Sequence, residues 1–290
     1  MILTLHTAKG GEGKTTAASN LAAVFARAGD LGVADRNLRV LLVGLDSQGC
    51  LARVFGIPRE EIEPSLAPVF AGQLAVEDVI RDTYLAPELS IITCGRAMKT
   101  ILKRMHHDPG ASQRLRLALD AVREDFDLVV VDCAPALGLP FEMAMAAADA
   151  YVVPLSLDFL GVEGVRTMFD ELQEEWEQHR FTCQLLGIAI QKADYRLGRH
   201  ERLEAALREF YGQAIFDTTI RINTHVEEAQ ARGISVVDYA REIGRPSRGA
   251  QGFVALAGEI LVRAIRRGLL PPSLRSTLPD PGDALLAVPA

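Results

Sequence analysis

The segment Lys9 to Thr16 reads KGGEGKTT and combines three glycines with two lysines and two threonines. Glycines let a chain turn so that its backbone N–H groups point inward, and a helix N-terminus adds partial positive charge. Such a loop binds phosphate groups when it connects a strand to a helix. The strand-like run Ile2 to Thr7 precedes it, and the helix-like stretch Lys14 to Ala28 follows it. The sequence therefore predicts a phosphate-binding loop here, with an ordinary glycine-rich turn as the alternative.

The residues of this loop have separate predicted roles. Lys14 is placed to neutralise the β- and γ-phosphates of a nucleotide. Thr15 offers its hydroxyl to Mg²⁺, a hard ion that keeps several waters and takes few protein ligands. The predicted nucleotide contacts of the loop are Lys9, Gly10, Gly11, Glu12, Gly13, Lys14, Thr15 and Thr16.

Two carboxylates follow apolar strand-like runs. Asp132 ends the run that begins at Leu128, and Asp46 follows the run Val40 to Leu45. Ligands bind at the carboxyl ends of parallel strands, so both carboxylates are expected near the phosphates. Asp132 resembles a Walker B position, and this resemblance implies that it holds Mg²⁺ through water; a turn-forming or helix-capping aspartate is the alternative.

Lys9 is a second lysine at the start of the loop, and with it the segment resembles the deviant Walker A ATPases, whose pattern is KGGxGK[ST]. That family includes the ParA, MinD and nitrogenase iron protein groups. In it the early lysine reaches the partner's bound nucleotide, so the resemblance implies an ATP-sandwich homodimer with ATP and Mg²⁺ as cofactors. Lys9 and Lys14 are then catalytic residues. The alternative for Lys9 alone is a solvated surface lysine.

The segment Asp46-Ser47-Gln48-Gly49 resembles the family's second acidic strand end, usually written DxDxQG. The resemblance implies that Asp46 is catalytic and orients the attacking water, while Gly44 replaces the first aspartate. Phosphoryl transfer depends mainly on positioning and charge stabilisation, so slow hydrolysis is expected. A nucleotide-binding module that has lost hydrolysis remains an alternative because of Gly44.

Three stretches favour the ParA branch of the family: Asp46 to Gly49, Asp132 to Gly138, and Arg245 to Glu259 with its PxSxGA-like start. A MinD-type protein needs a basic amphipathic helix at its C-terminus, and Leu285 to Ala290 contains no cation, so no membrane partner is expected. A metal-cofactor chaperone or reductase of the nitrogenase iron protein type needs suitably placed cysteines, and only Cys133 lies near the predicted site.

The ParA resemblance implies a switch in which ATP drives dimerisation, the dimer binds DNA without sequence preference, and a ParB-like or cargo-adaptor protein stimulates hydrolysis. The predicted role is plasmid or chromosome partition, and positioning of a protein cargo such as carboxysomes or chemoreceptor clusters is the runner-up. Residues 196–275 contain 13 Arg and 9 Asp or Glu, a local charge of +4 that fits phosphate contacts. The candidate DNA contacts are Arg221, Arg241, Arg245, Arg248, Arg263, Arg266 and Arg267, each of which is alternatively a solvated helix-face arginine.

The nucleotide base has weaker candidates. Gln191 and Asp194 stand near the family's adenine-side turn and are predicted to contact the nucleotide. Arg221 belongs to Ile220 to His225, where ParA proteins tend to show IPRNVR, so Arg221 replaces a nucleotide-side proline and His225 a DNA-side arginine.

Strand-like runs alternate with helix-like stretches along the chain, which predicts a doubly wound, mostly parallel α/β sheet flanked by helices. The predicted strands are 2–7, 39–45, 89–93, 128–132, 150–155, 184–190 and 214–216. Residues 1–270 are expected to form one domain, and residues 271–290 are proline-rich and predicted to be disordered.

Bulk composition narrows the protein class. A net charge of −7 over 290 residues argues against coating nucleic acid by overall charge. The four cysteines form no CxxC pair, so neither a zinc site nor a disulfide framework is indicated. No window has the apolar length of a membrane span, so a cytoplasmic protein is expected. The ParA resemblance implies that it associates with the nucleoid.

Overall fold

The structure is a computed structural model that describes residues 1–83, 86–157 and 162–274. The described strands form one seven-stranded sheet in the order β3-β4-β2-β5-β1-β6-β7, in which only β3 is antiparallel to its neighbour. The strands are β1 (Ile2–Leu5), β2 (Val40–Gly44), β3 (Arg81–Asp82), β4 (Leu89–Ile92), β5 (Leu128–Asp132), β6 (Ala150–Ser156) and β7 (Gln184–Gln191).

Helices cross between these strands, as parallel pairing requires. The α-helices are α1 (Lys14–Ala26), α2 (Cys50–Val54), α3 (Leu66–Phe70), α4 (Ala97–Met105), α5 (Arg114–Ala121), α6 (Leu139–Ala147), α7 (Val162–His179), α8 (Gly198–Tyr211), α9 (Thr224–Ala231), α10 (Val236–Ile243) and α11 (Arg248–Arg266). The doubly wound α/β prediction is confirmed.

Side chains of the central strands pack on both faces of the sheet. On β5, Leu128 and Val130 join the cluster formed with α1, α10 and α11, whereas Val129 and Val131 join the cluster formed with α5, α6 and α7. Successive strand residues point to opposite faces, so a continuous apolar run is buried on both sides. The sheet is therefore covered by two helical layers, and its carboxyl edge stays open for the loops after β1, β2 and β5.

One predicted strand is wrong. Residues 214–216 make a single bridge to β7, between Ile188 and Ile215, and begin in a 3₁₀ turn at Gly212–Ala214. The Arg263 guanidinium donates to the carbonyls of Ala214 and Ile215, at 3.4 and 2.9 Å. Because these acceptors are taken by a side chain, the segment does not extend the sheet as a strand.

The start of the predicted tail is described. Pro271 to Leu274 form a turn closed by a 3.0 Å hydrogen bond from the Leu274 N–H to the Pro271 carbonyl, and Leu274 is buried against the α11 side of the core. The rest of the predicted disordered tail, residues 275–290, lies outside the described residues. Within the described residues, no helix combines the length and apolar character that crossing a membrane requires.

Candidate functional site

The predicted phosphate loop connects β1 to α1 at the carboxyl edge of the sheet. Gly11 and Gly13 have φ values of 83° and 80°, a region that glycine adopts without the strain of a side chain. Gly13 is also the N-cap of α1, and no side chain caps the helix there. The first N–H groups of α1 are therefore free of an intramolecular cap, as an anion-binding helix start requires.

The two lysines of the loop lie in different environments. Lys14 is buried, and its Nζ donates to the carbonyls of Thr7 at 3.0 Å and Lys9 at 2.6 Å. Burial lowers the pKa of Lys14, while nearby acidic groups, including Asp132, raise it. The Lys9 side chain is exposed and points its charge toward solvent. One cation is thus enclosed within its own loop, and the other is accessible to a second molecule.

Asp132 lies beside this loop because β5 pairs with β1 in a register that aligns Asp132 with Leu5. The carboxyl group is almost fully buried, and neither oxygen has a hydrogen-bond partner of ordinary geometry among the described residues. Burial raises its pKa to about 7, and the Thr15 hydroxyl and the Lys14 charge oppose that rise. A buried carboxyl without partners, next to a threonine hydroxyl, fits the ligand preference of Mg²⁺.

Asp46 follows β2 at the same edge and is only partly buried. Its Oδ1 accepts from the Gln48 N–H at 2.9 Å, and its charge contributes to the raised pKa of Asp132. Gly49, with φ 67°, then begins α2. The structure thus brings Lys14, Asp132 and Asp46 to one edge of the sheet, as the strand pattern predicted.

Gly44 stands where the resembling family has an aspartate. It aligns with Asp132 across β2 and β5, and a Cβ atom at this position would lie 3.1 Å from Leu51 Cδ2. That distance is tighter than ordinary van der Waals contact, so the Leu51 side chain occupies the space that a larger residue would need. Leu51 therefore packs against the end of β2 at the position where a side chain of residue 44 would lie.

The loop is tied to β6 and β7 by contacts that the sequence did not indicate. Glu12 is buried, and its Oε2 accepts from the Ser156 N–H at 2.6 Å. Gln191 donates its side-chain amide to the Glu12 carbonyl, and Lys192 donates its ammonium to the Gly11 carbonyl at 2.6 Å. These contacts join residues at least 144 positions apart in sequence, so no local motif could reveal them.

The three candidates for the nucleotide base are placed differently. The Gln191 amide faces the loop backbone, as described. The Asp194 carboxylate forms a bidentate ion pair with Arg196, at 2.8 and 2.7 Å, which lowers its pKa to about 2. Arg221 is exposed, forms a β-bridge with Ala193, and lies 4.6 Å from the centroid of the Tyr195 ring. Asp194 and Arg221 therefore lie at one turn, and Gln191 lies between that turn and the loop.

A second set of contacts connects α1 to the C-terminal helices. The Gln230 amide on α9 donates to the Thr16 hydroxyl at 2.6 Å. Asn20 donates to the Thr16 carbonyl at 2.8 Å and accepts from the Val236 N–H, the first residue of α10, at 2.8 Å. Neither Gln230 nor Asn20 belongs to a motif that the sequence marked as functional. The nucleotide loop and the arginine-bearing region thus share side-chain hydrogen bonds.

Five of the candidate arginines lie at the ends of α10 and α11. Arg241, Arg245 and Arg248 are exposed around the turn between the two helices, and Arg266 and Arg267 are exposed where α11 ends. Among the described residues, Arg241 has one distant ion pair, with Asp30 at 3.9 Å, and Arg267 donates to the Leu185 carbonyl.

Arg263 differs from these five because its side chain points into the fold. Its guanidinium donates to the Leu186 carbonyl at 3.0 Å, contacts the carbonyls of residues 214 and 215, and lies 4.2 Å from the centroid of the Phe216 ring. Burial lowers the pKa of Arg263. The prediction of a DNA contact at Arg263 does not fit these interior bonds.

The PxSxGA-like stretch forms the start of α11. The Ser247 hydroxyl accepts from the Ala250 N–H at 3.3 Å and caps the helix. A Cβ atom on Gly249 would lie 2.7 Å from Val226 Cγ2, so the glycine lets α11 approach α9 closely. This stretch thus fixes the backbone at the start of α11, from which the exposed Arg248 side chain extends.

The cysteine beside the site is buried. Cys133 follows Asp132, and burial strongly raises the pKa of its thiol, which keeps it protonated. Metal-ligating cysteines are thiolates, so this environment opposes ligation. Within the described ranges, no group of three or more His, Cys, Asp or Glu residues could hold a metal ion.

Comparisons with known proteins agree with this geometry. A family model for an AAA domain matches residues 1–183. The chain is 30% identical over 264 residues to the chromosome partitioning protein ParA of Caulobacter vibrioides, which covers 90% of this chain and 94% of that protein.

Solved structures share the fold at lower sequence identity. Apo McdA from Cyanothece has a TM-score of 0.75 at 20% identity, over 90% of this chain and 98% of that one. Cobyrinic acid a,c-diamide synthase from Mycobacterium smegmatis, which holds an ATP analog and magnesium, has a TM-score of 0.74 at 22% identity, over 92% and 96%. With the KGGEGKTT loop and the paired strand-end carboxylates, these matches show that the chain belongs to the AAA domain family of ParA- and MinD-type P-loop ATPases.

Proposed function

We propose that this protein is a ParA-type ATPase that dimerises on ATP, binds DNA without sequence preference and releases it after hydrolysis. The observation that carries the proposal is the buried Asp132 carboxyl, for which the described residues supply no hydrogen bond of ordinary geometry, beside the helix start at Gly13, where no described side chain forms a cap. An unpaired buried carboxyl is costly, and it is retained where a cation completes the site.

The nucleotide is held by the loop from Lys9 to Thr16. Backbone N–H groups of the loop and the Lys14 ammonium bind the phosphates, and the Thr15 hydroxyl and Asp132, through water, hold Mg²⁺. The ion supplies charge neutralisation on the phosphate oxygens. Asp46 is half-exposed at the same edge, where it can accept a hydrogen bond from the attacking water. Hydrolysis to ADP and phosphate is slow without a partner, because positioning is the main catalytic contribution.

Dimerisation follows from the exposed Lys9. The Lys9 side chain is exposed, whereas the Lys14 ammonium is enclosed within the subunit's own phosphate loop. A second copy of the chain, placed face to face across the open sheet edge, brings Lys9 to the partner's nucleotide. The two lysine-bearing loops repel each other when they approach, and the negative charge of the triphosphate offsets this repulsion. Dimerisation therefore depends on ATP.

The proposed DNA surface consists of the exposed arginines around α10 and the ends of α11. Arg241, Arg245 and Arg248 cluster at one helix junction, and Arg266 and Arg267 lie at the other end of α11. Arginines on one face bind the regularly spaced phosphates of a duplex and read no bases. Such a protein is expected in the cytoplasm, in association with the nucleoid.

The cargo that best fits the relatives is a chromosome or plasmid, with a ParB-like protein as the partner that stimulates hydrolysis. The sequence relative named as a chromosome partitioning protein supports this choice. The alternative cargo is a protein assembly, which an adaptor protein would connect to the same cycle of ATP binding, DNA binding and hydrolysis. The metal-cofactor chaperone alternative is not favoured, because the thiol nearest the site is buried and protonated.

Duplex DNA binding in the presence of ADP, ATP or a non-hydrolysable ATP analogue tests the cycle, at 50 and 200 mM salt. We expect binding with ATP and the analogue only, and a loss of about 10²-fold between the two salt concentrations for roughly four phosphate contacts. Asp46→Ala should keep ATP-dependent DNA binding and lose phosphate release, whereas the exposed Asp125→Ala should match the wild type in both. DNA binding that ignores the nucleotide would exclude the proposed switch.

A further inference from the structure

The end of β7 contains a bulge. In a parallel pair, one residue normally bonds to the two residues that flank its partner. Here the Ile220 N–H donates to the Ile190 carbonyl at 2.9 Å, and the Ala193 N–H donates to the Ile220 carbonyl at 3.1 Å. These two hydrogen bonds of Ile220 normally flank a single residue of the neighbouring strand. Here they flank two residues, Gln191 and Lys192. Bulges of this kind redirect side chains, and they recur beside functional sites.

Lys192 adopts the left-handed backbone conformation within this bulge. Only two non-glycine residues in the described part of the chain have positive φ, Arg180 at 52° and Lys192 at 56°. Arg180 follows the last residue of α7, where a left-handed residue commonly ends a helix. Lys192 follows a strand, so helix termination does not explain its conformation. Left-handed lysine is disfavoured and persists where the surroundings over-determine it, often at functional sites.

The bulge directs two consecutive side chains onto two consecutive carbonyls of the phosphate loop. Lys192 donates to the Gly11 carbonyl at 2.6 Å, and Gln191 donates to the Glu12 carbonyl. In a trans peptide unit the C=O and the following N–H point in opposite directions. Holding these two carbonyls toward β7 therefore turns the N–H groups of Glu12 and Gly13 away from β7.

Gly13 shows how closely Gln191 approaches the loop. A Cβ atom on Gly13 would lie 3.0 Å from the Gln191 Nε2. Gln191 is buried, whereas the Lys192 side chain is exposed and can be replaced without leaving a cavity. Of the two contacts, the one made by Lys192 is therefore the one that mutagenesis can separate from packing.

We propose that Lys192 is a positioning residue for nucleotide binding, and that its ammonium holds the Gly11 carbonyl so that the loop N–H groups are preset for phosphate. The proposal rests on the proposed function, because it assumes that the loop binds a nucleotide. The ammonium acts on the loop backbone and not on the terminal phosphate. Its loss should consequently weaken ADP and ATP binding to the same extent.

Equilibrium titration of the protein into fluorescent ADP, or into a fluorescent non-hydrolysable ATP analogue, in the presence of Mg²⁺ tests this role. We expect Lys192→Ala to raise Kd about tenfold for both nucleotides, which corresponds to about 1.4 kcal/mol. Lys192→Arg keeps a long cationic donor and should stay within about threefold of the wild type. Lys103→Ala removes an exposed lysine of α4, remote in sequence from the loop and the bulge, and should leave Kd unchanged.

Lys192→Gly separates the ammonium from the backbone. Glycine adopts positive φ readily, so this variant should unfold at or above the wild-type temperature without nucleotide while losing affinity as Lys192→Ala does. If Lys192→Gly binds nucleotide with wild-type affinity, the loss of affinity in Lys192→Ala comes from backbone strain, and the proposal is overturned. Unchanged Kd in Lys192→Ala, or a loss confined to the ATP analogue, would also overturn it. A wild-type protein that binds neither nucleotide would instead refute the proposed function.

Discussion

The phosphate loop and the arginine surface of α10 and α11 are built in opposite ways. Loop carbonyls and side chains are bonded to β6, β7 and α9 through Ser156, Gln191, Lys192 and Gln230. The arginines at the helix junction are exposed, and Arg241 lies 3.9 Å from its ion-pair partner Asp30. The loop is preorganised by the rest of the fold, whereas the arginines of the helix junction extend from the surface.

This difference agrees with the ligands proposed for the two regions. A triphosphate has one size and one arrangement of oxygens, and a rigid set of donors binds it with little ordering cost. A duplex presents repeated phosphates at many equivalent positions, so mobile cations on a helix surface are sufficient. Substitutions in the loop should therefore have large effects, and single substitutions on the arginine surface should have small ones.

The largest expected effect comes from Lys14→Ala. The change removes the enclosed cation that binds the phosphates. Nucleotide affinity should therefore fall about a thousandfold or more, which corresponds to roughly 4 kcal/mol of binding free energy. Calorimetric titration with the ATP analogue measures this loss, and thermal unfolding without nucleotide checks that the variant is folded. A folded variant with less than a tenfold loss would contradict the assignment of Lys14 to the phosphates.

Asp132→Asn should change the pH dependence of stability. The folded-state pKa of about 7 lies above the usual value near 4, so the folded protein binds more protons than the unfolded chain between these values. Stability from this group is therefore full below pH 4, falls as pH rises through the window, and is level above pH 7. Between pH 5 and 8 the free energy of unfolding of the wild type should fall by roughly 2–3 kcal/mol relative to that of the variant.

Urea unfolding of both proteins at pH 5 and pH 8, without nucleotide or Mg²⁺, measures this difference. Other carboxyl groups titrate equally in both proteins and cancel in the comparison. Parallel stability curves for the two proteins would contradict a raised pKa at Asp132, and the argument for a cation there would lose its support.

The smallest effects separate Arg263 from the exposed arginines. Arg263→Ala removes a guanidinium that bonds three carbonyls and should cost about 2 kcal/mol of unfolding free energy. Arg248→Ala should leave stability within about 0.5 kcal/mol, weaken DNA binding severalfold and lower the salt slope by about 1. Urea unfolding and DNA titration at several salt concentrations measure both variants. Equal stability losses would contradict the proposed division between interior and surface arginines.

The sequence predicted the site where the chemistry is local. The loop, Asp132 and Asp46 each lie at the end of a strand-like run, and parallel pairing brings such ends together. Long-range contacts remained hidden, because Lys192 reaches Gly11 only through a bulge that depends on the pairing of Ile220. Arg263 was assigned to the surface because composition does not show which side of α11 faces β7. Its position depends on Gly187, where a Cβ atom would lie 2.6 Å from the Arg263 Nη1.

The hydrogen bonds that Gln230 donates to Thr16, and that the Val236 N–H donates to Asn20, have a thermodynamic consequence. They connect the helix that follows the phosphates to the two helices that precede the arginine cluster. If nucleotide binding changes DNA affinity through them, DNA must change nucleotide affinity by the same factor, since the two equilibria form a closed cycle. DNA would then act as an effector of the ATPase, and the DNA-bound protein would bind ATP more tightly than the free protein does.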